Sequence, residues 1–124
     1  MQALSTAALA LLLAACGASD EGPCGGSGGP DVSAIQDQLL ASINLEVDGA
    51  ARIAEFREVG RDGEGNADFQ SCRVRFQGEI EFTSDCYYHL RERRRGDRTP
   101  FEAEAEFLKD EAGWKRATLG IYPR

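Results

Sequence analysis

Four cysteines and a single histidine are the residues of this chain whose types suit metal binding or redox chemistry. Cys86 and His89 have the Cys-x-x-His spacing of zinc ligands, and Cys24 and Cys72 would complete a Cys₃His set. Structural zinc sites usually draw their ligands from two close pairs, and this sequence contains one pair. The pattern therefore favours disulfides over a metal site. It also predicts that His89 lies at the surface, at the end of a strand.

Three glutamates alternate along one stretch and would share one face of a strand: Glu102, Glu104 and Glu106. Paired carboxylates for glycoside cleavage must face each other across a cleft, with one kept protonated by burial. Acids on a solvent face are more simply ion-pair partners for Arg73 and Arg75 on a neighbouring strand. Because the only histidine lies in a charged segment and no phosphate-binding glycine loop occurs, the sequence predicts neither catalytic residues nor a cofactor.

Positive charge is concentrated in the stretch RERRRGDR, residues 91–98, which carries five arginines: Arg91, Arg93, Arg94, Arg95 and Arg98. Two interpretations stay open. The stretch is either a docking loop for anionic lipid headgroups or an acidic envelope protein, or a solvated hairpin tip kept soluble by its charge. The whole chain is acidic, with 21 Asp and Glu against 14 Lys and Arg, which argues against a general nucleic-acid binder.

An apolar run ends abruptly at Cys16. The run is too short to span a bilayer, which takes about 20 residues, but it has the length of a signal-peptide core. Leu13-Ala14-Ala15-Cys16 resembles a bacterial lipobox, in which the cysteine receives diacylglycerol and palmitate-type chains and the chain is cleaved before it. The resemblance implies a signal peptide over residues 1–15 and a lipid anchor at Cys16. Gly17, in place of the Asp typical of inner-membrane retention, implies the outer membrane, facing the periplasm or the cell surface.

Residues 16–30 are Gly, Ser, Pro and acid without apolar periodicity, so we expect a flexible tether that leads to a domain over residues 31–124. The three remaining cysteines would lie where disulfides form. Cys72 and Cys86 sit at opposite ends of one predicted strand, too far apart to pair. Cys24 precedes a helix whose start should lie near the start of that strand. The predicted pair is Cys24–Cys72, with Cys24–Cys86 as the alternative.

A helix is predicted from Asp31 to Val47, because apolar residues recur there at steps of three and four. Asp31 or Ser33 would cap its start. After Gly49 the apolar period changes to two, which predicts strands over residues 52–59, 72–82, 101–107 and 114–122. Turns are predicted at residues 60–66, 93–98 and 109–113.

One amphipathic helix and four one-sided strands predict an α+β fold, with the helix covering the apolar face of an antiparallel meander sheet. The stretches RIAEFREVGRDGEGN, VRFQGEIEFTSDCY and TPFEAEAEFLKDEAGWKR resemble small cystatin-like or NTF2-like lipoproteins. That resemblance implies a helix laid across a curved sheet. It does not imply protease inhibition, because the sequence lacks the cystatin loop Gln-x-Val-x-Gly.

These observations predict a monomeric, membrane-anchored envelope lipoprotein with a non-catalytic interaction or envelope-maintenance domain. Two alternatives stay open. A carrier of a small apolar ligand would have a pocket between helix and sheet, lined by Phe76, Ile80, Phe82 and Phe107. An NTF2-like enzyme would need titratable groups inside that pocket.

Overall fold

A computed structural model describes Cys24 and residues 28–65 and 69–123, so the predicted signal peptide and Cys16 lie outside the described residues. The described part forms one α-helix and six strands. In chain order they are α1 (Ile35–Val47), β1 (Ala51–Gly65), β2 (Gln70–Phe82), β3 (Cys86–Tyr88), β4 (Arg91–Arg93), β5 (Arg98–Asp110) and β6 (Gly113–Pro123). Within these ranges, no helix is long and apolar enough to cross a membrane.

Four of the strands form one antiparallel sheet in the order β1-β2-β5-β6. The predicted class, a helix on a four-stranded antiparallel meander, is therefore confirmed. The short strands β3 and β4 pair separately, as a hairpin inserted between β2 and β5. This insertion corrects the prediction for Cys86, which lies in β3 and not at the far end of the strand that contains Cys72.

The helix α1 begins four residues later than predicted, at Ile35, and Ala34 precedes it without a side-chain cap. The carboxylate of Asp31 instead accepts a hydrogen bond from the backbone N–H of Ser33 at 2.9 Å. Hydrogen bonding from Ser33 also lowers the pKa of Asp31. Both predicted caps are thus used in a local turn before the helix, which is a common alternative role of such residues.

The first strand, β1, continues to Gly65, so the turn predicted at residues 60–66 is wrong over most of its length. Two register shifts, between Ile53 and Glu55 and between Glu58 and Gly60, interrupt its alternation of side chains. The apolar pattern that would mark a strand is therefore lost halfway along β1. Because directly paired residues share one face of a sheet, Arg61, opposite Val74, lies on the side that the helix covers.

The core lies between α1 and the inner face of the sheet. The helix contributes one buried stripe, Ile35, Leu39, Ile43 and Val47. The ring centroid of Phe56 is 4.9 Å from that of Phe76 and 6.4 Å from that of Phe101. Gly78 pairs with both Phe56 and Phe101, and a Cβ atom at Gly78 would lie 2.6 Å from the Phe101 ring. Glycine at this position therefore allows the aromatic rings to pack over the sheet.

The N-terminal segment packs against the Cys72 end of the sheet. Cys24 forms a disulfide with Cys72, the first of the two predicted pairings, with the Cα atoms 5.5 Å apart. One guanidinium nitrogen of Arg61 donates to the carbonyls of Cys24 at 3.0 Å and Pro30 at 3.3 Å. Its Nε atom lies 2.7 Å from the carboxylate of Glu58. The contacts of the domain thus reach back into the segment predicted as a tether.

Two further contacts fix this segment. The indole N–H of Trp114 donates to the carbonyl of Gly28 at 2.8 Å. A Cβ atom at Gly29 would lie 1.9 Å from the carbonyl oxygen of Cys24, so only glycine fits there. We refer to the Cys24–Cys72 disulfide and the side-chain hydrogen bonds of Arg61 and Trp114 as the N-terminal clamp.

Candidate functional site

The candidate site is the hairpin of β3 and β4, residues 86–95, which we call the arginine hairpin. It follows Phe82, the last residue of β2, at the end of the sheet opposite the N-terminal clamp. The backbone N–H of Phe82 donates to Asp97 at 2.9 Å, and the carbonyl of Phe82 accepts from Gly96 at 2.7 Å. These backbone bonds fix the base of the arginine hairpin to the sheet.

Arg93 holds the arginine hairpin against the core. Its guanidinium carbon lies 5.5 Å from the ring centroid of Phe82 and 5.9 Å from that of Tyr88. Its Nε atom donates to the carbonyl of Tyr88 at 3.4 Å. A cation over two aromatic faces gains electrostatic attraction and covers apolar surface. Arg93 is therefore engaged within the fold, although the sequence suggested a docking role for it.

Two carboxylates that flank the arginine hairpin accept hydrogen bonds from its backbone, whereas Glu92 on β4 is exposed. Asp85 accepts a hydrogen bond from the backbone N–H of Arg95 at 2.9 Å, and Asp97 accepts one from that of Arg94 at 2.8 Å. Both bonds hold the backbone of the loop in place. Neither acid forms an ion pair with a cation in the described part of the chain.

The five arginines predicted as a docking loop separate into two groups. Arg98 lies in β5 and pairs with Glu79 at 2.9 Å and Glu81 at 3.3 Å, which raises the pKa of its guanidinium. Arg98 and Arg93 therefore have partners within the domain. The other three are exposed, and none makes an ion pair with another described residue: Arg91, Arg94 and Arg95.

The tip of the arginine hairpin is a two-residue turn, His89–Leu90, with φ values of 49° and 63°. Positive φ at both positions is the requirement of a type I′ turn, which favours Asn and Gly. For residues with a Cβ atom this conformation is strained. Leu90 is 92% exposed and Tyr87 is 58% exposed, so two large side chains meet solvent beside the arginines. Sequence reasoning missed this turn because neither residue is a turn former.

His89 lies at the surface, 44% exposed, with Nε2 3.8 Å from a carboxylate oxygen of Glu46 on α1. Its ring meets the ring of Tyr88 edge-on, with the centroids 4.4 Å apart. Tyr88 is buried, and its hydroxyl has no hydrogen-bond partner among the described residues. Burial, assisted by the nearby carboxylate of Glu46, raises the pKa of Tyr88 to about 12.

A surface depression of about 360 Å³ lies beside the arginine hairpin, lined by Asp85, Cys86, Tyr87, Glu92, Arg93 and Arg94. Cys86 carries a free thiol, so the alternative pairing Cys24–Cys86 is not formed. Desolvation raises the pKa of this thiol. A raised pKa keeps a thiol protonated at neutral pH and weakens it as a nucleophile.

The outer face of the sheet also carries arginines, of which Arg57 donates a hydrogen bond to the amide oxygen of Gln77 and others have carboxylate partners. Arg73 contacts Glu104 at 3.2 Å and Glu106 at 3.8 Å, whereas Arg75 pairs with Asp62 on β1. Two depressions of about 230 Å³ each lie on this face. Among the described residues, no group of three or more His, Cys, Asp or Glu side chains is arranged to hold a metal ion.

The fold and this site define a small α+β domain with a cationic, partly apolar projection at one end. Comparison with protein-family models, with curated proteins and with solved structures gives no match to the chain.

Proposed function

We propose that the protein is a lipid-anchored component of the bacterial cell envelope, attached at Cys16, whose non-catalytic domain binds an anionic surface through the arginine hairpin. The observation that carries this proposal is the contrast among the arginines. Four arginines on the sheet face have carboxylate partners within the domain: Arg52, Arg73, Arg75 and Arg98. Arg57 and Arg116 lie singly on separate strands without an ion pair in the described part of the chain, whereas three such arginines lie together on the arginine hairpin: Arg91, Arg94 and Arg95.

A fixed cationic hairpin suits recognition. Charge complementarity increases the rate and specificity of association more than it increases affinity. Backbone hydrogen bonds of Phe82 hold the base of the arginine hairpin, and Arg93 packs on the core, so the hairpin backbone has little conformational freedom to lose on binding. The exposed guanidinium groups can therefore bind carboxylate or phosphate groups of a partner with an entropic cost that is confined to the arginine side chains.

The sequence supports the lipid anchor. Leu13-Ala14-Ala15-Cys16 has the lipobox pattern after an apolar run, and two acyl chains on Cys16 would hold the chain stably at a membrane. Gly17 favours the outer membrane. On this proposal the mature chain is a monomer that starts at Cys16, in a compartment that permits the Cys24–Cys72 disulfide.

The core does not favour the two alternative functions. A ligand carrier or an NTF2-like enzyme would use a pocket lined by side chains that are instead 0–4% exposed in the core: Phe76, Ile80, Phe82 and Phe107. These side chains pack among the buried residues of helix and sheet. We therefore propose neither a carrier nor an enzyme.

The anchor is tested by the intact mass of the protein, extracted from membranes in mild detergent and kept non-reduced. We expect a chain that starts at Cys16, carries acyl chains and lacks two protons because of one disulfide. A Cys16→Ser variant should remain unacylated and uncleaved. An unmodified wild-type chain that begins at Met1 would contradict the proposal.

A further inference from the structure

We propose that the arginine hairpin docks on the anionic lipid headgroups of the membrane that holds the anchor, so that the domain lies along the bilayer with one attachment at each end. This inference rests on the proposed function, because it takes Cys16 as the anchored residue. It adds the class of partner and the orientation of the domain.

Charge is the first argument for a lipid partner. The chain as a whole has a net charge of −7, which an anionic membrane would repel at long range. At physiological salt, however, charges act over a Debye length of about 8 Å, so only groups close to the surface matter. Between residues 85 and 98, five arginines stand against three carboxylates, those of Asp85, Glu92 and Asp97, so this end of the domain is net positive. Arg91, Arg94 and Arg95 are exposed together there.

The apolar tip is the second argument. Leu90 is almost fully exposed in a strained turn, and Tyr87 lies beside it with its hydroxyl donating to the carbonyl of Leu90 at 3.2 Å. Membrane-surface segments combine an apolar side chain that enters the acyl region, an aromatic ring at headgroup depth and cationic side chains around them. An acidic protein surface would match the arginines but would need a dedicated apolar pocket for Leu90, whereas every bilayer has an apolar layer beneath its headgroups.

The third argument is the position of the two attachments. The disulfide fixes Cys24 to Cys72, and Cys24 lies eight positions after Cys16, so on this proposal the lipid lies within about 28 Å of the clamp. The arginine hairpin leaves the sheet at Phe82, ten residues further along β2, which is about 33 Å away. An upright domain would hold the arginines far beyond the Debye length. A domain lying along the bilayer brings both ends to the headgroups.

The test places a tryptophan at the tip of the lipidated full chain, with Leu90→Trp, and reconstitutes the protein in vesicles of brominated lipid. Bromine quenches tryptophan in the acyl region, and the parent chain, whose one tryptophan is Trp114, provides the baseline. We expect quenching above that baseline in phosphatidylcholine mixed with phosphatidylglycerol, and little in phosphatidylcholine alone. Raising the salt towards 1 M, where the Debye length is about 3 Å, should remove it.

Removing the charges tests the same contact by a second route. Each arginine near an anionic surface changes the docking equilibrium about fivefold, so Arg91→Gln, Arg94→Gln and Arg95→Gln together should weaken docking about 100-fold. If the chain floats with anionic vesicles but its tip is not quenched, lipid docking is overturned while the anchor stands, which leaves an acidic protein partner or a solvated hairpin tip. If the chain does not float with the vesicles, the anchor is overturned, and docking with it.

Discussion

Arginines have opposite roles at the two ends of the sheet. At the N-terminal clamp, the side chain of Arg61 is only 16% exposed, and it binds the carboxylate of Glu58 and two backbone carbonyls. At the opposite end, Arg91, Arg94 and Arg95 are exposed and have no ion pair among the described residues. The same residue type thus stabilises one end of the molecule and remains available for binding at the other.

The two ends of the sheet also differ in whether glycine occupies the positions that are hard for other residues to take. At the clamp, Gly29 lies beside the carbonyl of Cys24, where no side chain would fit. At the arginine hairpin, His89 and Leu90 take positive φ values without being glycine. Strain that persists in a native structure is concentrated at sites with a role beyond stability. The comparison therefore predicts that substitutions at the clamp reduce stability, whereas substitutions at the hairpin tip reduce binding and leave stability unchanged or higher.

The largest effect is expected from removing the disulfide with Cys24→Ala and Cys72→Ala. The bridge joins residues 48 positions apart, and a loop of that length corresponds to about 4 kcal/mol in the chain-entropy account. We expect a loss of about 3–4 kcal/mol in the free energy of unfolding, measured by urea titration. Cys86→Ala, which removes the free thiol, should cost less than about 1 kcal/mol. Equal losses in the two variants would contradict this account of the clamp.

The next largest effect compares the loss of stability on replacing Arg61, in the N-terminal clamp, with the loss on replacing Arg73, an exposed arginine of the sheet face. Arg61→Ala removes charge-assisted hydrogen bonds to part-buried carbonyls, so we expect a loss of about 2 kcal/mol. Arg73→Ala also breaks contacts with two carboxylates, but Arg73 is 53% exposed, and the loss should stay below about 1 kcal/mol. Thermal and urea unfolding measure both changes. A larger loss for Arg73→Ala would show that the sheet-face pairs, and not the clamp, carry the stability.

A third effect is a dependence of stability on pH, and it arises from Tyr88, a buried residue of the arginine hairpin. The pKa of Tyr88 is raised to about 12 in the folded protein, against about 10 in the unfolded chain. Between these values the unfolded chain loses its proton first, so stability should fall as the pH rises from about 10 to about 12. The urea midpoint, followed across this range, measures the fall.

Tyr88→Phe is the matched variant for that pH effect. It should lessen the fall at high pH. Because the Tyr88 hydroxyl has no partner among the described residues, its removal should leave stability at neutral pH unchanged or raise it by up to about 1 kcal/mol. Tyr87→Phe, at an exposed position, should retain the fall. A Tyr88→Phe variant that is strongly destabilised at neutral pH would contradict the described environment of the hydroxyl.

The smallest stability effect is expected at the tip and has the opposite sign. His89→Asn with Leu90→Gly supplies the residues that a type I′ turn favours, so we expect a gain of about 1 kcal/mol in stability and a loss of membrane docking. Leu45→Gln, at an 88% exposed position on α1, should change neither by much. Unchanged docking in the turn variant would exclude Leu90 from the contact.

Periodicity and topology predicted much of the fold. The helix stripe and the alternation in residues 72–82 and 101–107 led to the correct class, and the placement of Cys24 beside the start of β2 led to the correct disulfide. The second half of β1 was missed because two irregularities in register hide its alternation. The start of α1 was misplaced because the carboxylate of Asp31 binds within a turn before the helix.

The division of the five arginines was not predictable from the sequence. In the sequence, a run of arginines looks the same whether or not each side chain has a partner in the folded protein. Arg98 and Arg93 are engaged by residues from other strands: Glu79, Glu81 and Phe82. Such pairings depend on the register of the sheet and on the insertion of a hairpin whose turn has no glycine, asparagine or proline.

Hydrogen exchange of the anchored protein on anionic vesicles tests the central claim most directly. Two full-length variants lose three positive charges each: Arg91→Gln, Arg94→Gln and Arg95→Gln in the arginine hairpin, and Arg52→Gln, Arg73→Gln and Arg75→Gln on the sheet face. We predict that the membrane slows exchange at residues 86–95 in the wild type and in the sheet-face variant, but not in the hairpin variant. Equal loss of protection in both variants would show that net charge, and not the unpaired arginines, controls binding, and would contradict the account.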